Sequence, residues 1–183
     1  MIKSDNHVHT AFSTDSQAPM EDMLLQAIQA GFSSICFTDH MDYNFPPQDN
    51  SKNIQEFFLD TPAYHKEITW LAGLYPQIKI RFGIELGLKE DVIEQCKKLA
   101  SLYNFDFIIG STHLVNDIDP YYDKFWQETN EKTALRRFYE ATLANIGSGA
   151  DFDVYGHIDY ITRYTPYMKK LRSSNSYDEA YSV

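Results

Sequence analysis

Residues 2–10 read Ile-Lys-Ser-Asp-Asn-His-Val-His-Thr, a strand-like run that ends on a His-x-His pair. In an extended segment alternate side chains share a face, so His7 and His9 point the same way and are placed to hold one metal ion between them. Alone, such a pair carries little weight. It decides the fold because the event recurs four times: a strand-like run ends and a ligand-type residue appears, in Thr38-Asp39-His40, Gly83-Ile84-Glu85, Ser111-Thr112-His113 and Gly156-His157-Ile158-Asp159. Strands that all present chemistry at their carboxyl ends, with helical patterns between them, describe an α/β protein with a largely parallel sheet.

Strands are expected at residues 2–7, 34–38, 79–86, 105–111 and 152–156. The first helix starts at about Pro19, with Met20, Met23, Leu24, Ala27 and Ile28 at helical spacing and Gly31 as its stop. Thr61 and Pro62 read as cap and first turn of a second helix, and residues 89–103 as a third. A long polar-aromatic loop follows the fourth strand. The clearest helix comes next, keeping Leu135, Phe138, Tyr139, Thr142, Leu143 and Ile146 on one face before Gly147 and Gly149. About five strand-helix units result. One domain is expected over residues 1–167 and a loose tail over 168–183.

With 183 residues the chain is long enough for a sizeable core, and 43% hydrophobic with 23% charged residues is an ordinary globular composition. No apolar run approaches the ~20 residues of a membrane span, and no basic segment followed by an apolar stretch opens the chain, so the cytoplasm is the expected compartment. Cys36 and Cys96 read as small core residues rather than a disulfide. A formal charge of -10 and the lack of a basic stripe argue against nucleic acid as a partner.

Each strand-end residue has a plain structural reading, as a turn residue, a solvated charge or a core histidine. Five consecutive strand ends, holding five of the six histidines, point instead to one site. His65, in mid-helix, is the exception and is expected at the surface or its boundary. Imidazole and carboxylate together suit zinc, iron or manganese, and their number exceeds what one ion needs. Glu85 has two oxygens with which to bridge a pair of ions, and such pairs suit phosphoryl transfer.

These motifs, His7-Val8-His9-Thr10 with Ser13 and Asp15, Thr38-Asp39-His40-Met41-Asp42, Gly83-Ile84-Glu85, Gly110-Ser111-Thr112-His113 and Gly156-His157-Ile158-Asp159-Tyr160, resemble the polymerase and histidinol phosphatase (PHP) superfamily. Within it they are most similar to the histidinol-phosphate phosphatases. The resemblance implies a distorted (β/α)7 TIM-like barrel holding two or three divalent ions. His7, His9, Asp15, His40, Glu85, His113 and His157 would be the metal ligands, and Arg163 would bind phosphate. The implied reaction is hydrolysis of L-histidinol phosphate to L-histidinol and phosphate. Asp42 is a candidate for protonating the leaving alkoxide or contacting the substrate amine, or else a loop residue capping its turn.

The family pattern ends with further strand-helix units and a late Asp-x-His-type motif, for which this chain has no counterpart after His157. Five units do not close a barrel that typically takes about 250 residues. The expectation is therefore an incomplete, C-terminally truncated barrel with doubtful activity, its edge strands open to pairing with another chain. Two alternatives remain: a PHP phosphoesterase acting on nucleotides or DNA ends, and a non-catalytic metal-binding fragment.

Overall fold

The computed structural model describes residues 2–47, 57–127, 129–165, 180 and 182–183. Six strands, β1 (Ser4–Val8), β2 (Ser34–Phe37), β3 (His40–Met41), β4 (Lys79–Gly87), β5 (Phe107–Ser111) and β6 (Val154–Tyr155), alternate with helices α1 (Met20–Gln29), α2 (Thr61–Leu74), α3 (Ile93–Leu102), α4 (Asp123–Gln127) and α5 (Glu131–Ile146). Every strand pairing is parallel, in the order β1-β2-β4-β5-β6, with β3 also on β4. The parallel α/β sheet is the one expected of the alternating pattern, and its open, TIM-like half-barrel is the incomplete barrel that the family resemblance implies. Its end strands are β1 and β6.

The central strands carry near-continuous apolar stretches, Ser34–Phe37 of β2 being buried throughout and β4 from Phe82 on, as parallel strands covered on both faces require. Ile35, Cys36 and Phe37 of β2 and Phe82, Ile84 and Leu86 of β4 are buried, and Leu24, Tyr64, Leu71 and Cys96 from α1, α2 and α3 pack against that core. A second core lies beyond β5, where Val115, Phe125, Leu135, Phe138 and Ile161 join α4, α5 and the 3₁₀ turn Tyr160–Arg163. No helix among the described residues is long and apolar enough to cross a membrane.

Several local expectations change. Asp60, not Thr61, caps α2, its side chain accepting from Ala63 N–H; both are good capping residues, and Thr61 is buried instead. The third helix opens with a 3₁₀ turn, Glu90–Val92, before α3. On α5, Leu143 and Ile146 are exposed, and the buried position between them is Asn145, which donates to Leu88 O and Thr112 Oγ1 at 2.8 Å each. The two-residue β3 and the five-residue α4 are too short to show a period. The tail expected over 168–183 lies outside the described residues apart from 180, 182 and 183.

Candidate metal centre

Strand register brings the ligand-type residues together. His40 sits opposite Glu85 in the β3–β4 pair, and Val8 opposite Phe37 in the β1–β2 pair, so the carboxyl ends of β1, β3 and β4 meet. The loop after β1 is fastened there by Asp39, which is fully buried and accepts from Thr10 N–H (2.7 Å) and Ser13 Oγ (2.8 Å). Ser13 Oγ also accepts from His40 N–H at 2.9 Å. Thr10, Ser13 and Asp39 thus fix the backbone that carries His9, Asp15 and His40.

Glu85 is the hub and has no exposed surface. His7 Nε2 and His9 Nε2 approach its Oε2 at 3.0 and 2.9 Å, and His113 Nε2 and His157 Nε2 approach its Oε1 at 3.0 and 2.8 Å. Ser111 Oγ donates to Oε1 at 2.7 Å. His40 lies between Asp42 (Nδ1 to Oδ2, 3.1 Å) and Asp15 (Nε2 to Oδ2, 3.5 Å). His113 Nδ1 reaches Asp42 Oδ1 at 2.6 Å, and His9 Nδ1 reaches Asp15 Oδ2 at 3.0 Å. All seven expected ligands converge, with Asp42 behind His40 and His113. His65 does not join them; it is exposed on α2 with its ring against Phe82.

Without a cation this arrangement is electrostatically awkward. His9, His40 and His113 each lie between two carboxylates, which calls for a proton on both ring nitrogens, yet the His9 and His113 rings stand only 4.3 and 4.8 Å from that of His40. Burial disfavours charge on His40, but Glu85, Asp15 and Asp42 outweigh it and push its pKa up to about 10. The same contest raises His113 well above its ordinary range. Burial pushes Glu85 up and is outweighed by His40 and His113, which hold it well below the usual carboxylate range; Asp42 is held down at about 2, chiefly by His113 against its burial. His9 Nε2, despite its short approach, makes no hydrogen bond, and His157 Nδ1 is buried without one.

Divalent ions would relieve this conflict, since a metal takes the place of a proton on an imidazole nitrogen. Among the described residues, four groups of three have donor atoms within 4.8 Å of one another inside each group: His7, His9 and Glu85; His9, Asp15 and His40; His40, Asp42 and His113; Glu85, His113 and His157. Asp42 stands where a carboxylate orients metal-binding imidazoles through their Nδ1–H groups. The donor set fits divalent metal.

The imidazoles of these groups, with Asp15 and Asp42, form the floor of a cavity of about 750 Å³, and the buried Glu85 is not at its lining. Its walls include Phe45, Phe57, Tyr160 and Tyr164, and Arg163 is also at the lining. Arg163 is exposed and has no hydrogen-bond or ion-pair partner among the described residues. Two features go beyond the strand-end pattern: the clasp formed by Asp39, which stands in the Thr38-Asp39-His40 motif but whose residue type fits an ordinary turn equally well, and Asp119, which reaches the cavity lining from the long loop after β5.

Residues 5–182 match the family model for the PHP domain. The chain is 34% identical over 178 residues to a probable histidinol-phosphatase of Clostridium acetobutylicum, covering 96% of this chain and 64% of that protein. It is 34% identical over 172 residues to the histidinol-phosphatase of Lactococcus lactis, covering 93% and 61%. Among solved structures, the L. lactis histidinol phosphate phosphatase in complex with zinc, L-histidinol and phosphate superposes with a TM-score of 0.83 at 30% identity, over 97% of this chain and 64% of that one. A putative histidinol phosphatase of Listeria monocytogenes shares the fold, with a TM-score of 0.74 at 18% identity. The chain therefore spans a little under two thirds of the length of these L. lactis and C. acetobutylicum relatives. From the motifs at its strand ends, the convergence of their side chains and the match over residues 5–182, the chain belongs to the PHP domain family.

Proposed function

We propose that this chain is a metal-dependent phosphomonoester hydrolase whose substrate is L-histidinol phosphate, released as L-histidinol and phosphate. The observation that carries the reading is the convergence of four imidazoles on the buried carboxylate of Glu85, those imidazoles and Arg163 lining one cavity. The histidinol-phosphatase relatives, and the L-histidinol and phosphate in the L. lactis structure, support the choice of substrate.

In this reading His7, His9, Asp15, His40, Glu85, His113 and His157 hold two or three ions, with zinc, iron and manganese all suited to the donors. Bound there, such ions supply Lewis acidity toward the phosphoryl oxygens and toward the attacking water. Glu85 offers an oxygen to each side of the cluster. Arg163 grips two phosphoryl oxygens with its guanidinium fork and holds the ester in line. Asp42 acts through the imidazoles: both of its oxygens accept from His40 and His113, so it fixes those rings rather than protonating the leaving alkoxide. The aromatic rim limits water around the ester. The substrate is a small soluble phosphate, and the working compartment is the cytoplasm.

The test is elemental analysis of the purified chain alongside phosphate release from L-histidinol phosphate, before and after chelation. Two or more equivalents of metal, with turnover lost on chelation and restored by zinc or manganese, is the expected result. Bound metal without any phosphate release would instead make the chain a non-catalytic metal-binding protein.

A further inference from the structure

The two sides of the histidine cluster are fastened by different devices. Asp39, with Thr10 and Ser13, fixes the side that carries His9, Asp15 and His40. On the side of His113 and His157 the corresponding group is an amide, that of Asn145 on α5. Asn145 is 6% exposed and stands on the buried face of its helix. Its amide nitrogen carries two hydrogens and uses both, donating to Leu88 O and to Thr112 Oγ1 at 2.8 Å each. Leu88 directly follows β4, and Thr112 stands between the end of β5 and His113. Thr112 Oγ1 in turn meets Tyr155 Oη at 2.5 Å, and Tyr155 ends β6, close before His157. One line of side chains, Asn145, Thr112 and Tyr155, thus joins the carboxyl ends of β4, β5 and β6.

This line holds the approach to His113 from the face opposite the cluster. Ser111 Oγ donates to Glu85 Oε1 at 2.7 Å, and the next residue sends its hydroxyl the other way, to α5, as alternation along an extended segment dictates. Leu88 closes the frame, its N–H donating to Ser111 O at 2.8 Å while its carbonyl accepts from Asn145. His113 Nε2 and His157 Nε2 then arrive at one oxygen, Glu85 Oε1, at 3.0 and 2.8 Å. Leu88, Ser111 and Thr112 are each at most 1% exposed, so water does not stand in for a lost partner. Two hydrogen bonds from one planar amide fix distance and direction together, which an apolar side chain packed at this position would not do.

We propose that Asn145 is a positioning residue of the metal centre: through Thr112 it sets the segment that carries His113, and through Tyr155 the strand end that carries His157, so that both imidazoles address the same edge of Glu85. This rests on the metal-dependent reading of the site and is independent of which ester is cleaved.

The test uses the full chain loaded with zinc or with cobalt(II), whose visible absorption reports ligand geometry, and compares wild type with Asn145→Leu, Thr112→Val and Thr112→Ser. Asn145→Leu should release its first ion at a chelator concentration roughly tenfold lower, the lower end of the range for groups that orient metal ligands, with an altered cobalt spectrum. For L-histidinol phosphate, kcat should fall about tenfold with KM within twofold. Thr112→Val should reproduce these changes, and the double variant should add less than twofold, because the two residues act as one unit. Thr112→Ser, which keeps the hydroxyl, should restore wild-type metal release and spectrum. Should Asn145→Leu fail to fold, the Thr112→Val and Thr112→Ser pair carries the same comparison. Lowered thermal stability with unchanged cobalt spectrum and metal release in the folded variants overturns the proposal, as does a Thr112→Ser chain that behaves like Thr112→Val. Metal retention in the wild type without phosphate release sinks the phosphatase reading alone, since the spectrum and the chelator titration still decide the role of Asn145. A wild type that takes up no metal overturns both.

Discussion

The centre and the edges of the histidine-carboxylate floor are built differently. At the centre, His40 on β3, Glu85 on β4 and His113 just after β5 are buried, and each of the two imidazoles lies between two carboxylates. At the edges, His7 on β1 and His157 just after β6 have side chains 36% and 21% exposed, and each meets a carboxylate through one nitrogen only. The contrast follows from the sheet. β4 and β5 have neighbours on both sides that fix their end groups, while β1 and β6 have one; β3 pairs with β4 alone, and His40 is held instead between Asp15 and Asp42. The central donors are thus set before a ligand arrives, and the peripheral donors take their final positions from whatever lies beside them.

The largest effect is expected at the hub. Glu85→Gln removes the charge that four imidazoles share, and metal affinity measured by competition with a chelator should fall by more than about 100-fold, with phosphate release at background. Full metal retention in that variant would show that the edges bind without the centre. Asp42→Asn should cost roughly 10- to 100-fold in the same assay, the range for loss of a carboxylate behind a metal-binding histidine. Gly87→Ala should act in the same direction, because a Cβ there would collide with the Asp42 carboxylate. Stepwise chelation is expected to remove one ion ahead of the rest. His7→Ala and His157→Ala should abolish that early phase and spare the late one, and a single phase in all variants would erase the distinction between centre and edge.

A smaller effect concerns the metal-free chain, followed by thermal unfolding across pH. Asp42 is held at about 2, below its ordinary 3.8, so its contribution is complete above pH ~4 and fades as pH falls toward 2. His40 is raised to about 10 from 6.5, so its contribution is complete below pH ~6 and fades as pH rises toward 10. Stability should therefore peak between pH ~4 and 6.5 without metal. A maximum above pH 8 would mean that the central imidazoles are neutral. The least effect is at the thiols: burial pushes Cys36 and Cys96 up to about 12, and neither should react with a thiol reagent at pH 8 until the chain is unfolded.

The sheet and the histidine-carboxylate cluster were legible because all the expected ligands but Asp15 lie at or near the carboxyl ends of strand-like runs, and parallel strands share one functional edge. His7, His9, His40, Glu85, His113 and His157 are readable from that rule, and Asp15 only from the family resemblance. What stayed illegible depended on tertiary partners. Asn145 replaces the apolar side chains expected on α5 because Leu88 O and Thr112 Oγ1 need a donor there. Asp119 is not at a strand end at all. Its position follows from a two-residue left-handed turn, Asn116 and Asp117, in a stretch whose composition reads only as loop, and its bond from Tyr160 is visible only once the chain is folded.

The Asp39 clasp has a consequence for the order in which the chain comes together. It ties positions 29 and 26 residues apart, and the His9, Asp15 and His40 group that it fixes lies entirely within the first forty residues. The contacts of Glu85 with His7 and His157 close spans of 78 and 72 residues. Closing the shorter loops costs less entropy by about 1 kcal/mol, and it requires only β1, α1 and β2. One corner of the metal centre is therefore affordable while the chain is still emerging, and the remaining ligands are added to a corner that already has its shape.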